Sequence, residues 1–177
     1  PKLYHLNIEL LSQGQVIDQV KSYFAMREVS IRKDECGYQR ICLNGDPIFQ
    51  YGTLDQGWWP DGLLTPPSEE AMLWDMVQLK NMGFNTIRKH IKVEPEQYYY
   101  ADSLGLMMWQ DMVSGFSTER KDEEHIKPNA QTDWNAPASH TNQWQQEMFE
   151  MIDRLRFYSC ITTWVIFNEG WGQHNTV

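Results

Sequence analysis

Apolar and polar residues alternate at Tyr4, Leu6, Ile8 and Leu10 until Ser12-Gln13-Gly14-Gln15 interrupts the run, and an extended pattern resumes from Val16 to Ile31. Period-two alternation marks half-buried strands, so this stretch predicts a β-hairpin. Two strands cannot form a sandwich alone and need further strands or a surface to pack on. Asp34 to Gln39 reads as a linker. Then Arg40-Ile41-Cys42-Leu43, the turn Asn44-Gly45-Asp46-Pro47 and Ile48-Phe49-Gln50-Tyr51 predict a second hairpin, because Asn-Gly supplies the positive φ angles of a two-residue turn.

From there the pattern changes to alternating helices and strands. Ser68 is placed to cap a helix with Glu69 and Glu70 in its first turn, an apolar face of Met72, Met76, Leu79 and Met82, and Gly83 as its stop. Phe84 to Arg88 predicts a short strand. Pro95 suits the first turn of a second helix that runs through Tyr98, Ala101 and Leu104 to Gly105, and Leu106 to Gln110 predicts another strand. A polar segment from about Ser114 to His140 breaks the rhythm, as functional or mobile loops do. Trp144, Met148, Ile152 and Leu155 mark a third helix before the strand Ile161 to Phe167. Four strands separated by helices argue for an α/β fold with a parallel sheet, half of an eight-stranded barrel. Pro1 leading directly into a strand reads as a start inside a domain, and Val177 falls just past the loop where the next helix is due.

Composition narrows the chemistry. The 177 residues carry 15 Lys and Arg against 24 Asp and Glu, a formal net charge of −9 with no basic cluster, so nucleic acid is not an expected partner. No apolar run approaches the roughly 20 residues of a membrane span, and the first residues lack a signal-peptide pattern. The three cysteines have no Cys-x-x-Cys spacing and read as free, with Cys42 and Cys160 buried. The five histidines show no His-x-x-x-His pair, and neither a zinc cluster nor a phosphate loop nor a Gly-x-Ser-x-Gly elbow is present, so no metal and no cofactor are expected.

The candidate chemistry lies in Thr163-Trp164-Val165-Ile166-Phe167-Asn168-Glu169-Gly170-Trp171-Gly172. Read by itself, this run either delivers a carboxylate at a strand end, where barrel enzymes carry catalytic groups, or ends a buried strand in an ordinary polar turn. The eight tryptophans suit either a core or stacking on sugar rings.

Taken in order, Leu43-Asn44-Gly45-Asp46-Pro47, Gly83-Phe84-Asn85-Thr86-Ile87-Arg88, Leu104-Gly105-Leu106 and Trp164 with Asn168-Glu169 resemble glycoside hydrolase family 2, which includes β-galactosidases, β-glucuronidases and β-mannosidases. The resemblance implies that residues 1–33 are the C-terminal part of an immunoglobulin-like β-sandwich and 34–177 the first half of a (β/α)8 TIM barrel. It implies a retaining exo-β-glycosidase in which Glu169 is the general acid/base and Asn168 binds the sugar 2-hydroxyl. The nucleophile of such a site is a second carboxylate roughly 5 Å away, expected on a later strand outside this chain. Arg88 resembles the arginine that supports that nucleophile, or forms a structural ion pair. His90 either contacts substrate or is a satisfied loop residue. Trp109-Gln110-Asp111 is closer to the β-mannosidase branch, with Asp111 binding sugar hydroxyls or capping a loop. Asp55, Trp58 and Trp59 fall in the segment Gln50 to Gly62, where β-galactosidases carry a His-rich first barrel loop; that pattern is absent, which sets galactose specificity and its metal site aside. Trp58, Trp59 and Trp171 are stacking platforms or core. The partners implied are a saccharide, the remaining half-barrel and a second copy of the chain, in a periplasmic or secreted setting. The alternatives are a non-catalytic sugar-binding module and an inactive folding fragment.

Overall fold

The computed structural model describes residues 2–90, 95–114 and 124–176, with the side chain of Pro95 excepted. Pro1, Lys92, Val177 and part of the polar stretch predicted from Ser114 to His140 lie outside the described residues. The chain opens with strands β1 (Tyr4–Ser12) and β2 (Gln15–Phe24), paired antiparallel across the Gln13-Gly14 turn, both of whose φ angles are positive. The hairpin is as predicted, but its apolar positions stay in solvent: Ile8 is 55% exposed and Val20 55%.

The extended run predicted from Val16 to Ile31 is broken at residues 25–28. Arg27 is drawn onto the parallel sheet by the carbonyls of Ser159 and Ile161, and the Glu28 amide binds the side chain of Asn44. Strand β3 (Val29–Lys33) comes next and pairs with β4 (Gln39–Leu43). The predicted linker Asp34 to Gln39 is therefore a hairpin turn, and the pairing joins residues on both sides of the 33/34 boundary. Asp34 builds that turn: its Oδ1 accepts from the amides of Cys36 (3.0 Å) and Tyr38 (2.9 Å), and its Oδ2 from Arg40 (2.7 Å). Gly37 completes the turn at a φ of 83°, its amide donating to the Asp34 carbonyl at 2.9 Å. The Asn44-Gly45 turn forms as predicted, with β5 (Asp46–Pro47) opposite Leu43 and Cys42.

The predicted strand Ile48 to Tyr51 is displaced. Strand β6 (Gly52–Asp55) lies inside the segment read as a loop, and it opens the parallel sheet β6-β7-β8-β9. A Cβ at Gly52 would sit 2.7 Å from the Thr86 carbonyl oxygen, so glycine lets β6 close on its neighbour. The remaining strands are β7 (Thr86–Lys89), β8 (Met107–Asp111) and β9 (Ile161–Val165), each parallel to the one before. Helices α1 (Glu69–Asn81), α2 (Pro95–Leu104) and α3 (Ala138–Leu155) connect them. Ser68 caps α1 by accepting from the Ala71 amide, and Gly83 and Gly105 end α1 and α2 at positive φ. Met82 is not on the buried face: it occupies the C-cap and is 62% exposed.

The core lies between sheet and helices. Met76, Ile87, Tyr98, Ala101, Leu106, Met108, Leu155, Cys160 and Ile161 form one cluster, in which each buried aliphatic side chain contributes roughly 1.5–3 kcal/mol. This fixes the facing of every strand residue, because side chains alternate. Ile87 and Lys89 face the helices, as do Met108 and Gln110, whose side chain accepts from the Tyr98 hydroxyl. Arg88, Trp109 and Asp111 therefore share the opposite, helix-free face.

Candidate active site

Arg88 and Asp111 end adjacent strands on that face. The Asp111 carboxylate is fully buried and accepts from Arg88 Nε at 3.0 and 3.2 Å and from Nη2 at 2.7 Å. It also binds His90 Nδ1 at 2.7 Å. A carboxylate there is an acceptor, so Nδ1 is a His90 nitrogen that carries a proton. Arg88 Nη2 reaches further, to Asn168 Oδ1 at 2.7 Å. A guanidinium only donates, so this contact sets the amide orientation and leaves Asn168 Nδ2 as the donor available to a ligand. The hydrogen bonds that the Arg88 guanidinium donates to Asp111 hold it above its ordinary pKa; burial works against this, and the charges of Asp111 and Glu169 add to it.

Strand β9 stops at Val165, and three residues later the chain presents Asn168-Glu169. Trp144 of α3 stacks on Phe167 at 4.9 Å and donates its indole N–H to the Val113 carbonyl at 3.1 Å, fixing the approach to this turn. Ser114 Oγ accepts from the Asn168 amide at 3.3 Å, and the Trp171 amide returns to the Asn168 carbonyl at 3.0 Å. Glu169 is exposed, with φ at 54°, and Gly170 follows at 79°. Two consecutive left-handed residues swing the carboxylate outward, a conformation Glu enters only at a cost.

Residues 124–130 dock on this turn. The Ile126 amide donates to the Gly170 carbonyl at 2.9 Å, the Gly172 amide to that of Glu124 at 2.7 Å, and the His125 ring stacks on Trp171 at 4.4 Å. A Cβ at Gly170 would meet the Ile126 carbonyl oxygen at 2.0 Å, so only glycine permits the approach. Glu169 opens into a cavity of about 660 Å³ lined by His125, Lys127, Asn129 and Gln173 among others.

The structure brings together Arg88, His90, Asp111 and Asn168, with Glu169 next to Asn168. Trp109 lies on the same sheet face and donates its indole N–H to the Gln50 side chain. Asp55 does not join them. It sits on the helix-facing side, where its carboxylate takes Lys89 Nζ at 2.9 Å, Gln97 Nε2 at 2.7 Å and the Gly57 amide at 2.7 Å. Burial lifts its pKa, but Lys89 and these hydrogen bonds bring it below the usual value. Trp58 is 59% exposed and lines a separate cavity against α1, with Trp59 and Trp74. Trp171 is half-buried beneath His125 rather than an open platform. Sequence reading missed Lys89, which is fully buried, although its place next to Arg88 in a strand puts it on the other face. Ser114 and His125 carried no signal, since their role depends on the fold of distant loops. Among the described residues, no three His, Cys, Asp or Glu side chains converge as metal ligands would.

No family model matches the chain. A protein of Formosa agariphila provisionally named a β-glucuronidase is 29% identical over 171 residues, covering 96% of this chain and 15% of that protein. A β-glucuronidase structure from Parabacteroides merdae superposes with a TM-score of 0.70 at 19% identity, over 99% of this chain and 20% of that one. A β-D-mannosidase structure from Dictyoglomus thermophilum gives a TM-score of 0.66 at 26% identity, over 92% of this chain and 19% of that one. The fold is thus one shared with β-glycosidases. The chain is homologous to proteins of glycoside hydrolase family 2, and it spans about 15% of the length of the curated relatives it matches.

Proposed function

We propose that the protein containing this chain is a retaining exo-β-glycosidase, and that Glu169 is its general acid/base. The observation that carries this reading is the convergence of Arg88, Asp111 and Asn168 at the ends of neighbouring parallel strands, with Glu169 adjoining them. Glu169 protonates the leaving oxygen and later deprotonates water, while Asn168 Nδ2 donates to a sugar hydroxyl on the reacting ring. Arg88 is the cation that steadies a second carboxylate, the nucleophile, contributed by residues outside this chain. Asp111 acts through Arg88 and His90 rather than on the sugar, since its carboxylate is fully buried and engaged by both. In this reading the parallel sheet is the first half of a TIM barrel, and β1 and β2 are the last strands of an immunoglobulin-like domain. The substrate is a β-linked saccharide.

The test is turnover of aryl β-glucuronide, β-mannoside, β-galactoside and β-glucoside by that protein and its Glu169→Ala variant. The variant is expected to lose on the order of a hundred-fold or more in kcat, as general acid/base catalysis contributes, with azide restoring cleavage of activated aryl glycosides. Unchanged turnover rejects the assignment.

A further inference from the structure

At the end of the parallel sheet opposite Glu169, five hydrogen bonds link the end of β2 and the segment after it, the tip of α2 and the start of β9. Asp102 of α2 is 4% exposed and accepts from the Tyr23 hydroxyl at 2.7 Å and from the Cys160 amide at 2.6 Å. Arg27 donates Nε to the Ser159 carbonyl at 2.6 Å and Nη2 to the Ile161 carbonyl at 2.7 Å. Ser159 Oγ adds a longer contact to the Ala25 carbonyl at 3.3 Å. Tyr23 is itself packed between Tyr99 of α2 and Phe157 just after α3, so the N-terminal hairpin is fastened to the helix layer at two points.

The fastening falls where β9 changes register. Met108 faces Ile161, yet the next residue of β8, Trp109, faces Thr163, so Thr162 is an extra residue in β9. Because side chains alternate, one extra residue moves every later side chain to the other face of the strand. Arg27 holds the residue immediately before that bulge. From there β9 runs straight to the Asn168-Glu169 turn.

We infer that Tyr23, Arg27 and Asp102 are positioning residues for the acid/base: the N-terminal β segment pins the bulge that sets which way β9 delivers Asn168 and Glu169. This rests on Glu169 being the acid/base of a glycosidase. The step that depends most on the Glu169 position is protonation of the leaving group. An activated 2,4-dinitrophenyl glycoside leaves without a proton, whereas a phenyl glycoside requires one.

The experiment compares Arg27→Gln, Tyr23→Phe and Glu169→Gln in the protein containing this chain, using phenyl and 2,4-dinitrophenyl glycosides of the sugar that the unaltered protein cleaves fastest. Arg27→Gln is expected to lower kcat/KM on the phenyl substrate on the order of ten- to a hundred-fold, the size of effect a small remote displacement produces. The kcat/KM on the dinitrophenyl substrate is expected to change little, its kcat and KM falling together because water attack still needs Glu169 as base, and Tyr23→Phe to act in the same direction more weakly. Amide hydrogen exchange across Phe167–Trp171 should quicken in Arg27→Gln at an unchanged melting temperature. Equal losses of kcat/KM on both substrates, or unchanged exchange in that segment, overturn the inference. If Glu169→Gln shows no leaving-group dependence, the acid/base reading fails instead; if it does and Arg27→Gln does not, only the positioning role is lost. Should Arg27→Gln not fold, Arg27→Lys retains a cation able to make one of the two bonds, and the same exchange measurement decides.

Discussion

Asp111 has no exposed side-chain surface, yet it orients two of the groups facing the candidate site. An amide in its place offers one acceptor where the carboxylate offers two, so the guanidinium fork and the His90 ring can no longer both be satisfied. Asp111→Asn is therefore expected to lower kcat/KM on the order of a hundred-fold, with the loss appearing in kcat once Arg88 is released. Steady-state kinetics on the complete protein checks this; a loss confined to KM would instead make Asp111 a sugar ligand. At this scale the sequence was legible where a residue type stands at a strand end, as for Arg88 and Asn168. It was misleading for Asp55, whose face depends on where β6 begins. A carboxylate one residue earlier or later in a strand belongs to a different side of the sheet, and nothing local to Gly52 announced that the strand started there.

At the scale of elements, the turn carrying Glu169 and the segment 124–130 form one unit held by backbone hydrogen bonds and the His125–Trp171 stack. Gly170→Ala combines a positive φ of 79° with a contact of 2.0 Å to a backbone oxygen. The cheaper relief is for segment 124–130 to lift away, since it rests on few buried apolar contacts. Limited proteolysis should then cut within 124–130 in the variant while α1, α2 and the parallel sheet keep their hydrogen-exchange protection. Uniform loss of protection across the sheet would show that the segment is instead part of the cooperative core. Helices were the most readable elements here, because Ser68, Gly83 and Gly105 punctuate them with residues whose physics is local. The β3–β4 turn was not, because one glycine, Gly37, among mixed polar residues does not distinguish a tight turn from a linker, and the Asp34 side-chain hydrogen bonds that help close it are not visible in composition.

For the whole molecule, apolar surface is unevenly covered. Leu6, Ile8 and Leu10 of β1 and Val16, Ile17 and Val20 of β2 are 40 to 61% exposed, and Leu54 is 50% exposed on β6. Contiguous apolar strand surface of this kind associates with whatever apolar surface it meets. The 177-residue chain by itself is expected to sediment as a concentration-dependent mixture in analytical ultracentrifugation, and a monomer at every concentration would count against this. The backbone at Glu169 has a further consequence at this scale. A φ of 54° penalises any side chain with a Cβ by about 1 kcal/mol relative to glycine. Glu169→Gly thus relaxes the turn while removing its carboxylate, so, on the proposed reading, a library screened for heat resistance would enrich the very substitution that removes the acid/base. On that reading, selection for robustness and selection for turnover pull in opposite directions at that one position.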